Sequence, residues 1–127
     1  MAALNTNALT RISTTASVDM KTAGNTTLVT VPAGKSFVPI CVIIRNNSAS
    51  LAGGTSYSFG TLSAASDWRQ TVDLSGMTTA STTSRVLYAT DNTTYTVVTA
   101  GSTWGIKVTT GSTAACTATI DVFGYLF

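Results

Sequence analysis

Acid–base side chains are scarce in this 127-residue chain, which has no histidine, no glutamate and only five aspartates. Catalysis near neutral pH most often uses histidine or a carboxylate with a shifted pKa. Composition therefore excludes a Ser-His-Asp triad, a Cys-His pair and a histidine-ligated metal. The aspartates are also scattered, with neither an Asp-x-Asp-x-Asp calcium loop nor the clustered pair expected of a glycosidase. We accordingly predict no enzyme activity, no metal and no cofactor.

Charge of either sign is rare as well. Only 9% of the residues are charged, against about 25% in typical soluble proteins, and the net charge is +2. No two basic residues are adjacent, so the sequence offers no concentrated basic patch and predicts no nucleic-acid binding. Ser and Thr make up nearly a third of the chain instead. Since a solitary domain relies on surface charge for solubility, we expect much of this surface to lie against other protein.

Long apolar runs and cysteines are also few. The longest apolar run, 37–44, is far shorter than the ~20 residues that cross a bilayer, so no membrane association is expected. Polar residues interrupt the first ten positions, which predicts no signal peptide. Two cysteines, Cys41 and Cys116, do not make a disulfide scaffold. They are interpreted as buried apolar residues, as a single disulfide, or as thiols that cross-link a lattice.

What the chain does contain is a two-residue alternation of apolar and polar side chains. It is clearest over 103–110 and 114–123, where Cys116, Ala118, Ile120 and Val122 share one face. About eight short strands with intervening turns predict an all-β, antiparallel, jelly-roll-like β-sandwich. We expect hairpins between 27–31 and 37–45 and between 103–110 and 114–123. The predicted organisation is an extended N-terminal arm, 1–10, followed by a single domain, 11–127.

The strand over 37–45 is unusual because both of its faces are apolar. Strict alternation puts Phe37, Cys41 and Ile43 on one face. It puts Val38, Ile40, Val42 and Ile44 on the other. A sandwich core covers one face of each sheet, so a loop, the arm or a neighbouring subunit must cover the second.

One turn pattern occurs twice: Val, any residue, Ala-Gly, two residues, aromatic. It covers 31–37 and 98–104. In each copy the glycine is expected to supply a backbone conformation that other residues resist, after which the aromatic side chain enters the core. Two similar turns in one domain predict a pseudo-symmetric construction of the Greek-key kind.

Five stretches resemble small jelly-roll virion proteins of tailed bacteriophages. They are V-P-A-G-K-x-F at 31–37, V-I-I-R-N at 42–46, L-A-G-G-T at 51–55, T-V-D-L at 71–74 and T-A-T-I-D-V-F-G-Y-L-F at 117–127. The resemblance covers 26–127 and implies a structural role in the virion, as a head decoration (cement) protein, a head-fibre component or a tail-tip module. It carries over no catalytic residue.

The first functional hypothesis is therefore a cement protein on the phage head. It would be made in the host cytoplasm, form a dimer or trimer, and bind the major capsid protein or another virion protein. The alternative is a receptor- or carbohydrate-binding module at a fibre or tail tip. Trp68, in a predicted loop, is the leading side chain for that alternative, unless it simply closes one end of the sandwich. The predicted partner-contacting residues are Leu4, Leu9, Val38, Ile40, Val42, Ile44, Trp68, Arg69, Tyr125 and Phe127.

Overall fold

The computed structural model describes residues 9–64, 67–89 and 97–127. Within these ranges the chain forms eight strands and one short 3-10 helix over Leu62–Ala64. The strands are β1 (Thr10–Asp19), β2 (Gly24–Thr30), β3 (Phe37–Arg45), β4 (Ser56–Thr61), β5 (Arg69–Val72), β6 (Arg85–Tyr88), β7 (Thr103–Thr110) and β8 (Thr117–Leu126). These ranges contain no helix with the length and apolar character needed to cross a membrane. Leu4 and most of the predicted arm lie outside them.

The strands form two four-stranded antiparallel sheets, which confirms the predicted β-sandwich. Sheet A has the order β1-β8-β3-β6, and sheet B has the order β2-β7-β4-β5. The first four strands each pair with one of the last four: β1 with β8, β2 with β7, β3 with β6 and β4 with β5. This is the connectivity of one long antiparallel ribbon that bends from sheet to sheet at successive corners, as in a jelly roll.

Both predicted hairpins are wrong. β2 lies in sheet B and β3 in sheet A, and β7 and β8 are likewise in different sheets. The intervening turns are corners where the ribbon crosses between sheets. A glycine-containing turn between two alternating segments has the same local sequence whether the chain folds back in one sheet or crosses to the other. Among the described strands, the consecutive pair that shares a sheet is β4 and β5.

The repeated turn pattern marks one of these corners, and its two copies lie side by side. Val31 N–H donates to Ser102 O at 3.0 Å, and Gly101 N–H donates to Val31 O at 2.9 Å. Gly34 and Gly101 both adopt positive φ, 73° and 82°, as the sequence predicted. The two segments share a sequence pattern because both strands of the ribbon make the same bend at the same place.

The core between the sheets is built around four aromatic rings. Trp68 and Trp104 meet edge to face with ring centroids 5.4 Å apart, and Phe37 and Phe59 each pack against Trp104 at 5.9 and 6.3 Å. Trp104 is an inward residue, as predicted, with 1% of its surface exposed. Tyr57 closes the core near the β1–β2 corner, where its hydroxyl donates to Met20 O at 2.7 Å. Burial raises the pKa of Tyr57 to about 12, so the phenol stays protonated as the donor.

A bulge in β3 changes which side chains face the core. The register to β8 shifts between Pro39, opposite Gly124, and Cys41, opposite Phe123, so that residue 40 is extra. Before the bulge Phe37 points inward; after it Val42 and Ile44 do, and all three are fully buried. Strict alternation wrongly grouped Cys41 and Ile43 with Phe37, because one inserted residue inverts every later side chain.

Candidate interaction surface

The outward side of sheet A carries eight apolar side chains and is named here the outer A face. Cys41 lies between Tyr88 of β6 and Phe123 of β8, and Ile43 lies beside Val86. Tyr88 is 55% exposed and Val86 is 41% exposed, whereas the side chains of the central strands are partly covered. The apolar members of the outer A face are Val38, Ile40, Cys41, Ile43, Val86, Tyr88, Phe123 and Tyr125.

One ion pair interrupts the apolar area. Asp121 of β8 lies on the outward side of its strand, opposite Ile43, yet it is only 4% exposed. Its carboxylate accepts a hydrogen bond from Arg45 Nε at 2.7 Å and another from Thr14 Oγ1 at 2.8 Å. The bond from Arg45 is the chief reason that the pKa of Asp121 lies below its usual value. Strand β8 lies between β1 and β3. These two strands therefore both shield the Asp121 carboxylate from solvent and supply its hydrogen-bond donors.

The four arginines lie either on the outer A face or at the edge where β5 and β6 come together. Arg11 lies opposite Phe123 on the outer A face, and Arg45 lies two residues beyond Ile43. Arg69 reaches β6 from β5 and donates from Nη1 to Tyr88 O at 2.7 Å. Arg85 belongs to β6, lies opposite the buried Ile44 and donates from Nη1 to Asp73 O at 3.3 Å, just beyond β5. Arg11 and Arg45 therefore lie on the outer A face, whereas Arg69 and Arg85 link β5 and β6 at the edge between the two sheets.

The lysines lie elsewhere. Lys21 is in the β1–β2 corner, Lys35 is in the β2–β3 corner, and Lys107 of β7 points outward from sheet B. The outward side of sheet B, named here the outer B face, is otherwise made of small or polar side chains. Its members are Asn25, Thr27, Ser58, Gly60, Gly105, Lys107 and Thr109. The two faces thus differ in kind: one is apolar with arginine, the other hydroxyl-rich with lysine.

A second, smaller apolar area lies at one end of the sandwich. Leu9 precedes β1 and is 50% exposed, and Phe127 follows β8 and is 46% exposed. The backbone of Phe127 exchanges hydrogen bonds with Ser36, and Phe37 bridges to Val98, next to the exposed Val97. The apolar C-terminus is thus anchored by backbone hydrogen bonds while its last side chain stays at the surface. Leu9, Val97 and Phe127 are named here the end patch.

The structure divides the predicted contact residues into two groups. Val42, Ile44 and Trp68 are at most 1% exposed, so a partner cannot reach their side chains, and the expectation that they form an interface is corrected. Trp68 packs in the core and donates from Nε1 to Pro39 O at 3.2 Å, as in the plug interpretation. The predicted residues that lie at the surface are Leu9, Val38, Ile40, Arg69, Tyr125 and Phe127.

Several residues of the outer A face were not predicted from sequence. Cys41 and Ile43 were missed because alternation was continued through the bulge, although Pro39 inside an apolar strand was a usable signal. Val86 and Tyr88 lie in a strand of four residues, which is too short for alternation to show which face each side chain takes. Arg11 and Arg45 were not predicted, because their separation in sequence hides the fact that they lie on one sheet.

The two cysteines are free thiols, so the single-disulfide interpretation is wrong. Cys41 lies on the outer A face, whereas Cys116 is buried and donates from Sγ to Ala49 O at 3.3 Å. Cys41 lies opposite Phe123 on β8. Phe123 is seven residues from Cys116, which corresponds to roughly 23 Å of extended strand between the two cysteine positions. Burial raises the pKa of the Cys41 thiol, which makes it a weak nucleophile.

The aspartates of the described residues have structural roles. Asp19 accepts hydrogen bonds from the backbone of Lys21 and Thr22, and Asp73 accepts one from the hydroxyl and one from the backbone of Ser75. The pKa of Asp19 is lowered chiefly by the bond from the Lys21 backbone and that of Asp73 chiefly by the bond from the Ser75 hydroxyl, opposite to the raised pKa that a general acid requires. In the described ranges no three His, Cys, Asp or Glu side chains come together as a metal site would need.

Comparison with known proteins finds a solved structure of similar fold. No family model matches this sequence, and no curated protein matches it. Among solved structures, the chain is similar to a chain of the capsid asymmetric unit of cyanophage Pam1, with a TM-score of 0.58 and 14% sequence identity. The similarity covers 98% of this chain and 91% of that chain. The two proteins share a fold over almost their full lengths.

Proposed function

We propose that this chain is a structural virion protein that binds the assembled head of a tailed phage as a decoration, or cement, protein. The observation that carries the proposal is the fold shared with a chain of a phage capsid, which extends over nearly all of both proteins. The described aspartates, each engaged in a turn or an ion pair, support a role without catalysis.

The composition of the surface also supports a role in a protein assembly. Only 9% of the residues are charged, and among the described residues five large apolar side chains are more than 40% exposed: Leu9, Val86, Tyr88, Val97 and Phe127. They fall into two areas, the outer A face and the end patch. Exposed groups of apolar side chains often mark protein contacts in soluble domains. Two areas allow one contact with the shell and another between copies, so that several modest contacts add up to firm attachment.

Two measurements on purified particles of the encoding phage test the proposal. Quantitative mass spectrometry against the major capsid protein should find this chain in many copies per head. Heads that carry it should also survive to a higher temperature than heads that lack it. A few copies per particle, with no change in heat resistance, would refute the cement role and favour the fibre- or tail-tip alternative. That alternative has lost its leading sugar-contacting side chain, since Trp68 is buried.

The predicted arm has its own test. If residues 1–8 reach a partner, deleting them should weaken attachment to heads while leaving the melting temperature of the isolated protein unchanged. Equal attachment of the shortened chain would remove the arm from the proposal.

A further inference from the structure

The outer A face differs from the end patch in carrying charge as well as apolar surface, and that combination restricts what can bind it. Arginine is favoured at protein interfaces, because its planar guanidinium is weakly hydrated and bonds carboxylates through two N–H groups. Lysine is depleted there. Of the four arginines, Arg11 and Arg45 lie on the outer A face and none lies on the outer B face, where the charged side chain is Lys107, so the outer A face has more of the character of a binding surface.

The face carries more positive charge than its own carboxylate can balance. Among the described aspartates, Asp121 alone lies on it, and its oxygens already accept bonds from Arg45 and Thr14. Arg11 adds a second guanidinium on the same side of the sheet. Arg69 donates a hydrogen bond from Nη1 to Tyr88 O, and its other N–H groups remain as donors at the β6 edge. Because positive charge exceeds negative charge on this face, we expect carboxylates on the surface that covers its apolar centre.

We propose that the outer A face binds a virion protein other than this chain, through an apolar patch edged with Asp or Glu carboxylates. The inference rests on the proposed function and names the chemistry of the partner surface. Apolar side chains of the partner would cover Ile43, Val86 and Tyr88, while its carboxylates would meet Arg11 and Arg69. The outer B face would then point to solvent, consistent with its threonines, serine and lysine.

A second copy of this chain fits the same face poorly. A two-fold contact places each surface against itself, so the arginine-rich edges of two copies would face one another. Like charges across an interface oppose association. Nucleic acid also fits poorly, because the aliphatic side chains of Ile43 and Val86 form no favourable contact with phosphates. Contacts between copies are assigned instead to the end patch.

The test uses full-length protein and purified phage heads that lack it. Arg11→Glu is compared with Lys107→Glu, which makes the same change in net charge on the outer B face. We expect Arg11→Glu to weaken binding to heads about tenfold or more and Lys107→Glu to change it less than about twofold. Binding of the unaltered protein should weaken as salt is raised. Melting temperatures confirm that both variants are folded.

A second readout needs no substitution. Cys41 is a partly exposed thiol within the outer A face, whereas Cys116 is buried and serves as the internal control. Binding to heads should slow the reaction of Cys41 with a water-soluble maleimide at mildly alkaline pH. If heads bind the protein without protecting Cys41, a different face makes the contact and the inference is overturned.

The remaining outcomes are separable. Failure of the unaltered protein to bind heads counts against the cement role, and the inference falls with it. If Arg11→Glu and Lys107→Glu weaken binding to heads equally, the cement role is unaffected but the inference is overturned. It is also overturned if Cys41 becomes protected as the free protein self-associates, or if duplex DNA binds as tightly as heads with the same dependence on Arg11.

Discussion

Replacing Asp121 with Asn tests how sheet A tolerates a carboxylate in an otherwise apolar face. The change keeps the size of the side chain but removes its charge. In the native protein the carboxylate is 4% exposed and accepts bonds from Thr14 at 2.8 Å and from Arg45 Nε at 2.7 Å. Arg45 would lose its ion-pair partner, while Thr14 could still donate to the amide oxygen.

The size of the effect follows from the exposure of the pair. Breaking a fully buried ion pair costs about 3–5 kcal/mol, and an exposed one contributes about 0.2–1 kcal/mol. The Asp121 side chain is 6% exposed but that of Arg45 is 42% exposed, so the value should lie between these limits. We expect Asp121→Asn to lower the free energy of unfolding by about 2 kcal/mol at neutral pH. For a domain of this size, that corresponds to a melting temperature lower by about 6–10 °C.

The pH dependence identifies the charge as the cause. The pKa of Asp121 in the folded protein is lowered from the usual 3.8, chiefly by the hydrogen bond from Arg45. The folded state therefore holds this proton less readily than the unfolded chain does. The stabilisation is present above the unfolded pKa and is lost as pH falls through the lower, folded value. The gap between native protein and Asp121→Asn should accordingly narrow below about pH 4.

The assay is chemical unfolding of both proteins at a series of pH values from neutral to about 2.5, followed by tryptophan fluorescence. The lowered pKa values of Asp19 and Asp73 also affect acid stability, but both proteins share them, so they cancel in the difference. A stability difference that stays constant across the acid range would show that the charge of Asp121 contributes nothing, and would refute the reasoning.

Three further predictions concern the core, one corner and the thiols. Trp68→Ala should lower the free energy of unfolding by about 3–5 kcal/mol in calorimetry, because it empties the site packed against Trp104; a loss below about 1 kcal/mol would mean the ring is not in the core. Gly101→Ala should cost about 1 kcal/mol or more from its φ of 82° alone, whereas Gly76→Ala, with equal free space and no positive φ, should be neutral; equal melting temperatures would contradict this. Under non-reducing conditions the protein should titrate two thiols, Cys41 in the native state and Cys116 only after unfolding, and an intact mass two hydrogens lower would contradict the free-thiol assignment.

Local patterns predicted those parts of the fold that depend on neighbours along the chain. The alternation at 103–110 and 114–123 identified the inward residues of β7 and β8, and the two Ala-Gly turns identified positions of positive φ. These features are local because side-chain direction in a strand and backbone angle at a turn depend on the residues themselves. The all-β class followed from their number and spacing.

The tertiary structure decided which strands pair and which side of the sheet each side chain faces. Whether a turn folds a strand back or carries it across the sandwich depends on which distant strand supplies its hydrogen bonds, and β7 finds β2 and β4 rather than β8. The bulge at residue 40 is defined against β8, about eighty residues away in sequence, and it turned Cys41 and Ile43 from expected core residues into surface ones.

The candidate surface needed both kinds of information. Low charge in the sequence indicated that something should cover this domain, and an apolar strand at 37–45 indicated roughly where. Only the assembled sheet brought Arg11 and Arg45 from separate strands beside Phe123 and Ile43. The physical reason is that composition reports how much surface must be buried, whereas the position of each side chain on that surface is set by strand order and register, which are contacts between residues far apart in the chain.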